Sequence, residues 1–146
     1  MSNKTAASGQ CLCGAVTITA ANMHTDVSIC HCSMCRKWGG GPFLATHCGS
    51  DVIIEPAEKV KRYRSSAWAE RGFCTDCGSH LFYHMPESKE YIMPIGLFEQ
   101  QQQIDVKSQI FIDEKPGYYD FANQTKNMTG QKFLPCMPPS KTNTTL

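Results

Sequence analysis

Cys11-Leu12-Cys13-Gly14-Ala15-Val16-Thr17-Ile18-Thr19-Ala20 sets two thiols two residues apart, in front of a run that alternates apolar and polar side chains. Alternation with period two marks a half-buried strand, so residues 15–20 are expected to be one. On an extended chain, residues i and i+2 face the same side, which lets Cys11 and Cys13 offer both sulfurs to one ion. Two more clusters follow: Cys30-His31-Cys32-Ser33-Met34-Cys35 and Cys74-Thr75-Asp76-Cys77-Gly78. A Cys-x-x-Cys pair converges on one ion when the chain turns tightly, and Gly78 tolerates the positive φ such a turn needs.

These seven cysteines, out of nine, read as metal ligands. A Cys-x-Cys pair plus a Cys-x-x-Cys-Gly turn makes a tetrahedral Cys₄ zinc set, assigned to Cys11, Cys13, Cys74 and Cys77. Cys30, Cys32 and Cys35 are one ligand short of a closed site. Three protein ligands with a fourth position for water or substrate is the catalytic pattern of zinc, and a substrate thiolate suits that position. Spacing leaves two alternatives open. Cys48, Cys136 or a histidine could close the middle set, or Cys30 and Cys32 could pair with Cys74 and Cys77. The simplest reading of Cys48 and Cys136 is free thiols outside both sites. His31, between two ligands on an extended segment, is expected to point away from the metal. His24, His47, His80 and His84 read as surface or packed residues, with His80 the nearest in sequence to a ligand turn. Arg36 directly follows the middle set and is the candidate for offsetting its negative charge or holding a substrate carboxylate. Trp38 and Phe43 flank the 39–42 loop and are candidates for a pocket wall or for the core.

Further strands are expected at 27–30, 43–47, 52–55, 60–64, 81–84, 91–95 and 110–112, with one helical turn at 33–38. Dense glycine and proline punctuation separates them, at 39–42, 49–51 and 115–117. The fold class is therefore all-β and mainly antiparallel. A length of 146 residues fits a single zinc-binding domain over 1–137. The polar segments 100–103 and 138–146 are expected to be an exposed loop and a flexible tail.

Formal net charge is +1 and basic residues are scattered, so no nucleic-acid partner is expected. Two zinc ions on seven thiolates would bring the charge to about −2. Residues 1–20 hold no secretory apolar stretch, and no run of about 18 apolar residues exists for a membrane span. A cytoplasmic location is expected, where paired cysteines serve metals rather than disulfides.

Three motifs together carry a resemblance: Gly9-x-Cys11-x-Cys13-Gly14-Ala15-Val16, Cys30-His31-Cys32-Ser33-x-Cys35-Arg36-Lys37, and Arg71-Gly72-Phe73-Cys74-x-x-Cys77-Gly78-Ser79-x-Leu81. Over residues 9–122 the chain resembles the glutathione-dependent formaldehyde-activating enzyme family, which includes the centromere protein V group. The resemblance implies a β-tent of small antiparallel sheets around zinc, a structural zinc at Cys11, Cys13, Cys74 and Cys77, and a catalytic zinc at Cys30, Cys32 and Cys35. It implies a carbon–sulfur lyase acting on S-(hydroxymethyl)glutathione, with glutathione or another small thiol as partner. The chain departs from the family pattern near its end, where Gln109 stands in place of a histidine and Tyr118 in place of a tryptophan. The other function class is a non-catalytic zinc-stabilised module that binds a protein. The centromere-associated relatives carry basic sequence outside the shared domain. No long basic run occurs here, which favours a small-molecule substrate.

Overall fold

The computed structural model describes residues 3–100 and 103–134. The strands are β1 (Lys4–Gln10), β2 (Thr17–His24), β3 (Asp26–Cys30), β4 (Phe43–Gly49), β5 (Val52–Glu55), β6 (Val60–Arg64), β7 (Glu70–Cys74), β8 (His80–Met85), β9 (Glu90–Pro94), β10 (Asp105–Ile110) and β11 (Lys126–Met128). Two short helices accompany them, α1 (Ser33–Gly39) and α2 (Gly130–Phe133). Strands β1, β2 and β5 form one antiparallel sheet in the order β1-β2-β5. The other eight form a second sheet in the order β11-β10-β3-β4-β9-β8-β7-β6.

Alternation decides which faces meet. Ile18, Ala20 and Met23 of β2 are buried while Thr17 and Thr19 are exposed. They pack with Leu81, Phe82 and Met93 of the larger sheet to form the main core. Transfer of such side chains out of water is the main driving force, about 1.5–3 kcal/mol for each large one fully buried. A second, smaller cluster joins Cys30, Cys32, Cys35 and Phe111, with Met34, Phe43, Ile110, Phe133 and Leu134 packed against it.

The all-β expectation holds, with one qualification: β10 runs parallel to both β3 and β11. Strand β1 falls outside the expected strands because Ala6, Ala7, Ser8 and Gly9 have low β propensity. It forms because β2 pairs with it and because Gly9 lets the backbone of Leu97 and Phe98 come close. The expected strand at 110–112 lies at the end of β10. Phe111 takes φ 54, ending the strand, and a 3-10 turn follows at Ile112–Glu114. The cysteine pairs also depart from the extended geometry expected of them. Cys11–Gly14 is a turn, with Gly14 N–H donating to the Cys11 carbonyl at 3.1 Å. Cys30 ends β3, whereas Cys32 caps α1. The expected tail 138–146 and Cys136 lie outside the described residues, as do residues 101 and 102 of the expected 100–103 loop. Among the described residues no helix is long and apolar enough to cross a membrane.

Candidate functional site

The sulfurs of Cys11, Cys13, Cys74 and Cys77 all lie within 4.8 Å of one another. Each pair sits in a hairpin turn: Cys11 and Cys13 between β1 and β2, Cys74 and Cys77 between β7 and β8. Glycines at φ 82 (Gly14) and φ 77 (Gly78) allow both turns to close. Two sulfurs bound at tetrahedral zinc stand about 3.8 Å apart. The measured separations are 3.7 Å for Cys11–Cys13 and 3.9 Å for Cys13–Cys74, so the set fits the ion. Backbone N–H groups of Val16 and Asp76 donate to Cys11 and Cys74 at 3.3 Å each. The Ser79 hydroxyl, 3.2 Å from Cys77, pulls that thiol's pKa down to about 5. The first turn belongs to the small sheet and the second to the large one, so an ion here ties the two sheets together.

The sulfurs of Cys30, Cys32 and Cys35 form a separate cluster of the same compactness, and all three residues are buried. Cys30 arrives on β3. Cys32 caps α1, accepting the Cys35 N–H at 3.4 Å, and Cys35 lies in that helix's first turn. Hydrogen bonding to Cys32 and Cys35 pushes the Cys30 pKa far up. Bonds from Cys30 and Cys35 pull Cys32 down. Crowded thiols thus share protons unless a cation is present to hold all three as thiolates, and three soft donors suit zinc. The sulfurs group as two separate sets, four and three, and Cys48 joins neither. It is fully buried in the main core, where burial raises its pKa to about 12.

The guanidinium at the cluster is Arg71. Its Nη1 and Nη2 stand 3.8 and 3.9 Å from Cys35 Sγ. It is only 5% exposed, lies 4.8 Å from the Trp38 ring and 5.1 Å from the Tyr83 ring, and donates from Nε to Ser65 Oγ at 3.3 Å. Among the described residues it has no carboxylate partner. The sequence expectation had named Arg36, whose Nε donates to the His31 carbonyl at 3.0 Å. Arg71 escaped notice because it lies three positions before Cys74, hence on the opposite face of β7. Nothing local reveals that this face meets another cysteine cluster.

His31 is turned away from the thiols and fully buried. Its Nε2 lies 2.7 Å from Gln109 Oε1 and its Nδ1 2.8 Å from the Tyr119 hydroxyl. The Gln109 amide donates to Thr125 Oγ1 at 2.9 Å, leaving its oxygen toward His31. His31 therefore carries its proton on Nε2 and accepts the Tyr119 O–H at Nδ1. Burial lowers its pKa. Tyr119 is the tyrosine that engages the site, whereas Tyr118 is 78% exposed.

Two recesses meet at Cys35 and Phe43. One is a cavity of about 90 Å³, reached by Cys30, Cys32, Cys35 and Arg71 and walled largely by apolar side chains. The other is an open groove along Trp38, Gly39, Pro42, His80 and Ile95. His80 stacks on Trp38 with centroids 4.3 Å apart, and its pKa is lowered by burial and by the Arg71 charge. His84 is held by Glu70 at 3.1 Å and stacks on Tyr91.

Residues 6–114 match the family described as glutathione-dependent formaldehyde-activating enzyme. An uncharacterized lyase of Schizosaccharomyces pombe is 38% identical over 83% of this chain and 89% of its own length. A Halomonas elongata protein whose name assigns it to the same enzymes is 32% identical over 60% of this chain and 62% of its own length. A crystal structure of a Rhodobacter sphaeroides protein superposes with a TM-score of 0.55 at 28% identity, covering 64% of this chain and 88% of that one.

Proposed function

Since the chain belongs to the glutathione-dependent formaldehyde-activating enzyme family, we propose that it is a zinc-dependent carbon–sulfur lyase acting on a thiol adduct such as S-(hydroxymethyl)glutathione. The observation that carries this reading is the division of seven thiols into a set of four at the hairpin turns and a set of three opening on a cavity. Cys11, Cys13, Cys74 and Cys77 hold a structural zinc, and Cys30, Cys32 and Cys35 hold a catalytic one. Zinc bound by those three supplies Lewis acidity that stabilises a departing thiolate.

The chain's own residues do the rest. Three thiolates around a divalent ion leave one net negative charge, and the Arg71 guanidinium beside Cys35 offsets it. In the lyase direction the adduct's hydroxyl loses its proton, its C–O bond becomes C=O, and the C–S bond breaks with the electron pair going to sulfur. The products are the aldehyde and the thiol. A base must take the hydroxyl proton. Both nitrogens of His31 are engaged, His84 is tied to Glu70, and His47, which lines the cavity, has its ring against His24. His80, in the groove beside Cys35 and held neutral by its lowered pKa, is the base in this reading. His80→Asn is expected to lower turnover by about 10²-fold or more while zinc content stays at two per chain. Unchanged turnover with both zinc ions retained would exclude that role. The glutathione moiety lies along the groove, where Trp38 and the 39–42 loop are exposed enough to receive it. Cysteines that serve metals rather than disulfides fit a reducing compartment, and a cytoplasmic location is part of this proposal.

Zinc counting by site tests the reading. Cys74→Ser is expected to destabilise the whole domain, because the ion's binding energy is folding energy. Cys32→Ser keeps an oxygen to cap α1, so it is expected to empty the three-cysteine site and reduce exchange between formaldehyde and its glutathione adduct, followed by NMR, to the spontaneous rate, with the fold retained. Full exchange activity in Cys32→Ser would sink the proposal.

A further inference from the structure

The cavity behind the three-cysteine cluster has a chemical character that a one-carbon aldehyde does not need. Its walls are Phe43, Ile92, Ile110, Phe111, Phe133 and Leu134. Of the polar groups that reach it, Ser28 is bonded to Ser108 at 2.9 Å, Tyr83 to Trp68 Nε1 at 2.9 Å, and Arg71 to Ser65 and Cys35, while the His47 ring lies against His24 with centroids 5.8 Å apart. A hydroxymethyl group would place nothing against these apolar walls.

Two observations show that the wall is a held structure. Phe111 sits at φ 54, a left-handed conformation that bulky residues adopt only when their surroundings enforce it. Its ring is fixed edge-on to Phe133 at 5.8 Å and lies so close over Gly130 that any Cβ there would collide with it. The second observation is where the far wall comes from. Phe133 and Leu134 belong to and follow α2, beyond residue 114, where the family match ends. Residues 130–134 close this side of the cavity.

We propose that the cavity receives an apolar substituent on the carbon of the thiol adduct, so that the preferred substrates are glutathione adducts of short aliphatic aldehydes, with a chain of about three or four carbons, rather than of formaldehyde. The inference rests on the reading that the adduct's sulfur sits at Cys30, Cys32 and Cys35. The size follows from the volume. An apolar cavity of about 150 Å³ accepts benzene, and this one, at about 90 Å³, is smaller. The bond changes are those of the lyase step already described, with an alkyl group replacing one hydrogen on the carbinol carbon.

Calorimetric titration of the zinc-loaded protein with S-methyl-, S-ethyl-, S-propyl-, S-butyl- and S-hexylglutathione tests this without turnover. Affinity is expected to rise about fourfold per added methylene up to propyl or butyl and then to stop rising. Ala45 lines the cavity, and Ala45→Leu is expected to remove the chain-length gain, with Ala45→Val as the milder filler if the leucine variant does not fold. A flat series, a series that falls from methyl onward, absence of binding, or a gain that survives the filled cavity would each overturn the proposal. Turnover of the formaldehyde and butanal adducts is measured in parallel to separate the two readings. A flat series beside active turnover of the formaldehyde adduct overturns the cavity inference and leaves the lyase standing. A chain-length gain without turnover of either adduct supports the cavity and overturns the lyase.

Discussion

Arg71 carries a full positive charge to a place almost closed to water, stacked between Trp38 and Tyr83, with the Cys35 sulfur 3.8 Å from its Nη1. A buried cation without a carboxylate is costly unless another anion offsets it, and the three cysteines, held as thiolates by the proposed zinc, would be that anion. Arg71→Gln is therefore expected to weaken zinc binding at the three-cysteine site by about 10–100-fold, the range for partners that support metal ligands. The four-cysteine site should be unaffected. Competition with a chelator, resolved by site, measures both. Arg71→Lys should recover part of the loss, because it restores charge without the planar fork or the ring stacking. Equal loss in the lysine and glutamine variants would mean that Arg71 acts by packing and not by charge. At the same scale, Gln109 shows why a departure from the family pattern need not remove a site. Its amide bridges His31 and Thr125 and fixes the proton on His31 Nε2.

Strand β7 connects the two clusters. Cys74 at its end belongs to the set that ties the sheets together, while Arg71 faces the cavity. Between them, Gly72 lies against the fully buried Phe82 ring of β8, and an added Cβ would overlap that ring. Gly72→Ala is expected to cost about 1–3 kcal/mol through overpacking, read as a lower midpoint in denaturant unfolding with both zinc ions bound. An unchanged midpoint would show that the Phe82 ring yields without cost. Helix α1 shows how little helix the site needs. Seven residues suffice because Cys32 caps its start and Gly40, at φ 84, closes its end with an N–H to the Arg36 carbonyl. That end is legible as a glycine signal in the sequence, and the expected turn at 33–38 falls one residue short of it.

At the scale of the whole molecule, His24 and His47 contribute to the way stability changes with pH. Burial lowers the pKa of His47, and the adjoining His24 charge adds to this, partly opposed by Glu90. Burial also lowers His24, with Lys4 adding to it and Asp26 and Glu90 opposing. Both folded values lie below the unfolded value of about 6.5. Below that pH the unfolded chain therefore binds more protons, and stability is present above it and lost as pH falls toward the folded values. Denaturant midpoints between pH 7.5 and 5.5 should fall, and less so in His47→Gln, with zinc content followed so that loss of metal is separated from this effect. A wild-type midpoint that holds steady across this range would contradict the assignment.

Local spacing was enough for the sequence to group the candidate metal ligands. Ligand pairs two or three residues apart need only a turn to converge, and period-two alternation marks which side of β2 faces inward. Seven thiols in three clusters are therefore legible as candidate metal ligands before any fold is known. Only the tertiary structure decided what those thiols are set against. The four-cysteine set joins hairpin turns from two different sheets. Arg71 reaches Cys35 across 36 positions of chain. The cavity wall is closed by Phe133 and Leu134 from a segment far along the sequence. Contacts of that kind depend on sheet order and strand parity, which no local pattern encodes.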